Sequence, residues 1–226
     1  MRGFDIKQIR MRSFQISGLT AKWGIGGGRK PSIWDNNLVA WWDARTFPDG
    51  ALAKIPNTAT MAGKAPDLTI SGATMASGTL QFDGVDDEAF TEAFLFSDRF
   101  TVFWDVDWLG DVNRAAGIII INNLYLRNFP NRGSLSCIVK QGGQAVEIPN
   151  TNVGISTAGK YYSKSGADTD FTGTMGEGAY EAGMCIGRSS RQGTQFTQMG
   201  FRQLLIFNKE LSQAEVNDVL RVMFPA

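Results

Sequence analysis

The chain has 226 residues, of which 43% are apolar and 19% charged, and its formal net charge is zero. This length allows one large domain with a substantial core, and the balanced charge argues against nucleic acid as a partner. Histidine is absent, which excludes Ser-His-Asp and Cys-His catalysis and histidine-based metal sites.

The first 33 residues are predicted to be a basic arm that ends in a glycine-rich linker. Residues 1–30 carry seven basic side chains against the single acid Asp5. Gly24 to Gly28 and Pro31 then interrupt any regular element. Such an arm can bind nucleic acid or dock onto an acidic protein chain, or it can be a solvated strand or tail. The main domain is expected over residues 34–226.

No hydrophobic segment marks a secretory signal in the first 25 residues. No apolar run reaches the roughly 18 residues that a membrane span needs. We therefore expect a cytoplasmic or virion-associated protein without membrane contact.

The main domain is predicted to consist of strands and turns. Leu38 to Asp43 is an apolar strand, and the strand Leu80 to Phe82 runs into an Asp-Gly turn. The clearest strand runs from Phe100 to Trp108 and alternates between two faces. One face holds Val102, Trp104, Val106 and Trp108, and the other holds Phe103, Asp105 and Asp107. Further strands are predicted over 118–121, 135–140, 145–148 and 201–207.

A helix is predicted at the end of the chain. Ser212 and Glu215 form a capping-box pattern, and apolar residues recur after it at helical spacing. Short strands with one terminal helix predict an all-β fold, a two-sheet antiparallel jelly-roll sandwich with a short C-terminal helix.

Three segments carry a family resemblance. They are Leu38 to Asp43, the FDGVDD turn at 82–87 with the strand from Phe100, and Ile186-Gly187 with the strand from Phe201 and the Leu211-Ser212 helix start. In this order they resemble the laminin-G-like, concanavalin-A-like jelly roll. The resemblance implies sugar binding, with calcium in some members and glycoside hydrolysis in some relatives. Residues 140–185 depart from the family pattern, and the arm is similar to segments that precede phage-tail domains.

Paired carboxylates are the strongest catalytic candidate. Asp105 and Asp107 alternate on one strand face, about 7 Å apart by the strand rise, a separation suited to acid and base around a sugar bond. Phe103 and Leu109 stand where a third acid would extend the pattern. A degenerate glycoside hydrolase is therefore an alternative. Gly154 to Lys160 imitates a P-loop, but Tyr161 replaces the required hydroxyl residue.

Ligand-binding candidates lie on the polar strand face and in the middle of the chain. Asp105 and Asp107 offer hydrogen-bond acceptors, and Tyr125 and Arg127 would join them if their strand pairs nearby. Tyr161 and Tyr162 lie in a polar, glycine-rich stretch and are expected to line a rim.

No cofactor is required by the sequence, although calcium is left open by acidic loops. Asp168 and Asp170 are the candidate calcium ligands, with Asp86 and Asp87 as another oxygen cage. Cys137 and Cys185 lie in apolar runs, and their spacing does not decide whether they pair.

The sequence leaves three functions open. The first is a carbohydrate-binding, lectin-like module without catalytic activity, whose partner is a glycan or polysaccharide. The second is a structural or adhesive component of a phage-tail-like or surface assembly. The third is the degenerate hydrolase, which requires Asp105 and Asp107 in an open cleft and a raised pKa on one of them.

Overall fold

The computed structural model describes residues 33–61, 63–108, 117–121, 124–128, 134–139, 145–149, 151–170, 180–188 and 196–225. The predicted basic arm lies outside the described residues. No helix in these ranges is long and apolar enough to cross a membrane.

The larger of two main sheets has nine strands among the described residues. They are β1 Leu38–Asp43, β2 Gly50–Ala51, β5 Thr74–Ala76, β6 Thr79–Asp83, β9 Thr101–Trp108, β14 Asn152–Ser156, β15 Lys160–Ser163, β16 Asp168–Asp170 and β19 Gln198–Phe207. Their order is β16-β15-β14-β9-β19-β6-β5-β2, and β1 also pairs with β19.

The second main sheet has eight strands in the same ranges. They are β3 Lys54–Ile55, β4 Leu68–Ser71, β7 Glu88–Phe90, β10 Gly117–Ile121, β11 Leu124–Asn128, β12 Ser134–Val139, β13 Ala145–Pro149 and β18 Met184–Ile186. Their order is β13-β12-β11-β10-β18-β7-β4-β3. A separate pair joins β8 Phe94–Phe96 to β17 Tyr180–Ala182, and the helices are α1 Ile33–Asn36 and α2 Gln213–Met223.

The main core contains residues of both sheets. On β9, Val102 and Trp104 are 0% and 2% exposed, as their alternation predicts. Ile206 of the neighbouring β19 and Ile186 of β18, in the eight-stranded sheet, belong to the same cluster. The predicted two-sheet antiparallel sandwich with a C-terminal helix is therefore confirmed.

Helix α2 covers part of the outer face of the nine-stranded sheet. Its residues Val216 and Val219 pack in a second cluster with Phe103 of β9 and Leu205 of β19. The predicted capping box is formed between Ser212 and Glu215. The central strands are thus buried on both faces along the length of the helix.

The last turn of α2 is fastened to the sheet by hydrogen bonds. The Arg45 guanidinium and the Gln203 amide each donate to the Met223 carbonyl at 3.0 Å. Arg45 also pairs with Asp43 at 2.8 Å. These bonds hold the end of the helix over Gln203 of the sheet.

Two motifs singled out in the sequence have structural explanations. Gly154 to Lys160 forms the hairpin between β14 and β15, not the strand–loop–helix of a phosphate-binding loop. Cys185 is buried, and its Sγ lies 3.9 Å from Glu88 Oε2. Cys137 lies three strands away, because β11 and β10 stand between β12 and β18, and about 14 Å of strand spacing excludes a disulfide.

Candidate functional site

Asp105 and Asp107 lie on the outer face of β9, next to the end of α2. They lie on the same face of the strand as Phe103, which packs against the helix. Asp105 is paired in register with Gln203, the residue that bonds the last turn of α2. The two carboxylates therefore stand where the helix stops covering the sheet, and 52% of the Asp107 side chain is exposed.

A β-bulge in β19 presents Arg202 to both carboxylates. Phe201 is in register with Val106 and Gln203 with Asp105, so Arg202 is the extra residue between them. Its Nη2 donates to Asp105 Oδ1 at 2.7 Å and to Asp107 Oδ1 at 2.9 Å, and its Nη1 donates to Asp107 Oδ2.

These bonds determine the charge of the exposed carboxylate. Hydrogen bonding from Arg202 holds the pKa of Asp107 below its usual value, and the nearby charge of Lys164 adds to this effect against the opposing effect of burial. The same bonds raise the pKa of Arg202. Asp107 is therefore an ionised hydrogen-bond acceptor at neutral pH, held in place by a guanidinium.

A buried glycine beside the carboxylates lets a neighbouring side chain pack closely against the strand. Gly200 is in register with Asp107 on one side and with Gln81 of β6 on the other. A Cβ atom here would stand 2.7 Å from Thr79 Cγ2, 3.6 Å from Asp107 Cβ and 3.7 Å from Gln81 Nε2. We call Asp105, Asp107, Arg202, Gly200 and Gln81 the acid–arginine platform.

A groove of about 290 Å³ lies between α2 and the turn after β15. Its lining residues are Lys164, Ser165, Gly166, Asn217, Leu220, Arg221 and Phe224. The turn is tied to the helix because Gln213 Nε2 donates to the Gly166 carbonyl at 2.6 Å. Lys164 lies over the ring of Phe224, and the preceding Met223 carbonyl accepts from Gln203, which is in register with Asp105. The groove and the platform are therefore neighbours.

The two tyrosines do not form the predicted rim. Tyr162 is 1% exposed, stacks on Phe103 at 5.8 Å between ring centroids and donates to Ser156 Oγ at 3.1 Å. The prediction that Tyr162 contacts ligand is wrong, because α2 and its cluster cover that side of β15. Tyr161 points the other way and is partly buried against the core between the sheets.

The predicted grouping of Tyr125 and Arg127 with the two aspartates is not formed. β11, which carries both residues, belongs to the eight-stranded sheet, whereas β9 belongs to the nine-stranded one. The prediction assumed that neighbouring segments pair, but β10 and β11 pair with each other and with β18 and β12. The two pairs of residues therefore lie on different layers of the sandwich.

The carboxylates of Asp168 and Asp170 lie close together, but both form ion pairs with the same lysine. Lys160 of the neighbouring strand lies 2.7 Å from Asp168 and 3.1 Å from Asp170. Hydrogen bonding from Lys160 lowers the pKa of Asp168. This ammonium occupies the position between the carboxylates that a calcium ion would need, so the pair fits an ion poorly.

The other predicted cage is more compact. The carboxylates of Asp86 and Asp87 lie with that of Asp83 within 4.8 Å of one another. One oxygen of Asp87 already accepts the Asp83 backbone N–H at 2.8 Å. Calcium binding at this turn stays a prediction.

Sequence reasoning missed Arg202 and Lys164. Arg202 is the only charged residue in the strand 198–207, and this is the signal that could have drawn attention to it. Lys164 has no comparable signal, because its place beside Asp107 depends on how the β15–β16 turn docks on α2.

No family model and no curated protein matches this sequence. Among solved structures, the chain is similar to a Trypanosoma rangeli sialidase in complex with sialic acid, with a TM-score of 0.62 and 14% identity over 86% of this chain and 34% of that one. It is also similar to the botulinum neurotoxin serotype D binding domain, with a TM-score of 0.57 and 14% identity over 84% of this chain and 53% of that one. The chain thus spans about a third to a half of these proteins, and the likeness shows a shared β-sandwich fold.

Proposed function

We propose that the protein is a non-catalytic carbohydrate-binding, lectin-like module and that the acid–arginine platform contacts the sugar. The platform carries this proposal, because Arg202 holds the exposed carboxylate of Asp107 in a fixed position on the outer face of the sheet. Ionised carboxylates accept hydrogen bonds from hydroxyl groups, and the bonds from Arg202 fix their orientation before a ligand arrives. Sugars present such hydroxyl groups in pairs.

The fold comparisons support the same proposal. One neighbour is described as a complex with sialic acid and another as a toxin binding domain. At 14% identity neither carries a residue role to this chain. They support a sandwich of this kind serving as a binding scaffold.

The electrostatics support binding over hydrolysis. A general acid at a glycosidic bond needs a raised pKa, and Arg202 lowers that of Asp107 instead. Asp105 is only 5% exposed and is bonded to the same arginine. The pair is therefore suited to holding a sugar and poorly suited to protonating its leaving group.

The test is a glycan array probed with the full chain in calcium and again in chelator. We expect reproducible binding to one glycan class, lost in Asp107→Ala and weakened in Arg202→Gln. Asp98→Ala is the matched control, because Asp98 is also an exposed aspartate but precedes β9 in a loop. Loss in chelator alone would place calcium in the binding reaction.

A blank array in both conditions would overturn the proposal and favour the structural or adhesive role. Binding that survives Asp107→Ala would support the lectin function but show that the platform is not the sugar-binding site. Folding of each variant is checked by its thermal unfolding curve, so that a lost signal is not mistaken for a lost contact.

A further inference from the structure

The groove beside the platform contains a cation, Lys164, that forms no ion pair with a carboxylate among the described residues. Lys164 is exposed, and in the described part of the chain no carboxylate lies within 4.0 Å of its ammonium. Other cations near the platform are engaged: Arg202 with its two aspartates and Arg221 with Asp218 at 2.9 Å. Lys164 is therefore the cation in the groove that is available to a ligand.

The ammonium of Lys164 is also held in position. It lies 4.7 Å from the centroid of the Phe224 ring, within the range of a cation–π contact. The turn that carries it is tied to α2 through Gly166 and Gln213. A long side chain restrained in this way loses less conformational freedom when it binds an anion.

The charges of platform and groove differ in sign. The platform has two carboxylates for one guanidinium, so an anionic group placed on it would be repelled. Lys164, next to it, would attract the same group. A ligand that bears an anion on one unit and free hydroxyl groups on the next therefore fits in one orientation, with the anion in the groove.

We infer that the site selects acidic glycans, with Lys164 as the specificity-determining residue for a carboxylate or sulfate substituent and the platform as the subsite for the neighbouring neutral sugar. This inference rests on the proposed function. Ser165 and Asn217 line the same groove and supply polar groups for the remaining oxygens of the anion.

The experiment compares matched pairs of immobilised glycans that differ only in one carboxylate or sulfate. We expect the chain to bind the acidic member roughly three- to tenfold more strongly, as one partly exposed ionic contact allows. Lys164→Ala should bind both members equally, and Lys164→Glu should prefer the neutral one. Lys54→Ala is the control, because it removes one positive charge from an exposed position in the other sheet.

The preference should also fall between 50 mM and 500 mM salt, since exposed charges are screened. Equal binding of neutral and acidic members by the unmodified chain would overturn the inference while leaving the proposed function in place. A preference that persists in Lys164→Ala would do the same. A blank array would instead remove the proposed function and the inference together.

Discussion

Gly187 lies directly against the ring of Phe82: a Cβ atom on this glycine would stand 2.5 Å from Phe82 Cδ1 and 3.2 Å from the Asp87 carbonyl oxygen. Gly187 also has a φ of +82°. The two residues come from segments that the family resemblance identified separately in the sequence. Their contact explains why a glycine stands after β18 and an aromatic residue before the turn.

Gly187→Ala is expected to lower the free energy of unfolding by roughly 2–4 kcal/mol, from backbone strain plus overpacking. Gly63→Ala is the matched control, because Gly63 has a φ of +72° but nothing within 4 Å of its Cβ position. Its cost should be about 1–2 kcal/mol. Urea unfolding measures both, and equal losses would contradict the steric explanation.

Asn57 is expected to be the most sensitive buried polar residue of the region before β4. Its Oδ1 accepts from the backbone N–H groups of Trp41 and Ala59, and its Nδ2 donates to the carbonyls of Val39 and Ala65. Asn57→Asp replaces a donor with an acceptor facing two carbonyls, and should cost at least ~3 kcal/mol. Thr58→Val removes one hydrogen bond to Trp41 and should cost only about 1 kcal/mol.

Asp107 should stabilise the fold modestly and in a pH-dependent way. Because Arg202 lowers its pKa from 3.8, its contribution is present above about pH 4 and is lost as the pH falls through the lower folded value. Asp107→Asn should therefore be less stable than the parent at pH 7, by at most ~1 kcal/mol since the side chain is half exposed. The difference should shrink below pH 3.5 in chemical unfolding, and a gap that does not change with pH would contradict the ion pair.

The ionised carboxylate of Asp87 should lower the stability of the fold, whereas that of Asp107 raises it. Burial raises the pKa of Asp87 above 3.8 against the lowering effect of the backbone hydrogen bond from Asp83, and the charges of Asp83 and Asp86 raise it further. The ionised form thus lowers stability at neutral pH, and this cost fades as the pH falls towards 3.8. We expect Asp87→Asn to be at least as stable as the parent at pH 7 and to lose that advantage at pH 3.5, measured by thermal unfolding. A variant much less stable at pH 7 would show that the carboxylate itself is required.

Local patterns predicted the parts of the fold that depend on neighbours in sequence. The alternation of β9 placed Trp104 inside and Asp105 outside, and the serine and glutamate of the capping box located the start of α2. Tyr161 and Tyr162 were both predicted to line a rim, although neighbouring residues of a strand point to opposite faces. No local pattern indicated that α2, which follows much later in the chain, covers the outer face on which Tyr162 lies.

The pairing between distant segments could not be predicted from the sequence. The sheet that contains Tyr125 depends on β10 pairing with β18, and no local pattern encodes that choice. Arg202 meets Asp105 and Asp107 because β19 bulges opposite β9. A bulge depends on two strands at once, so the platform was predicted from the sequence only as a pair of acids.

The strand that carries Asp168 and Asp170, the ion-pair partners of Lys160, affects how readily molecules can associate through a sheet edge. Among the described residues β16 ends the nine-stranded sheet, so its outer backbone groups form an edge to which another strand can be added. All three of its side chains are exposed, and two are acids. Charge on a short terminal strand discourages the stacking of molecules edge to edge. The two acids that make a poor calcium site are therefore expected to disfavour the addition of another strand at that edge.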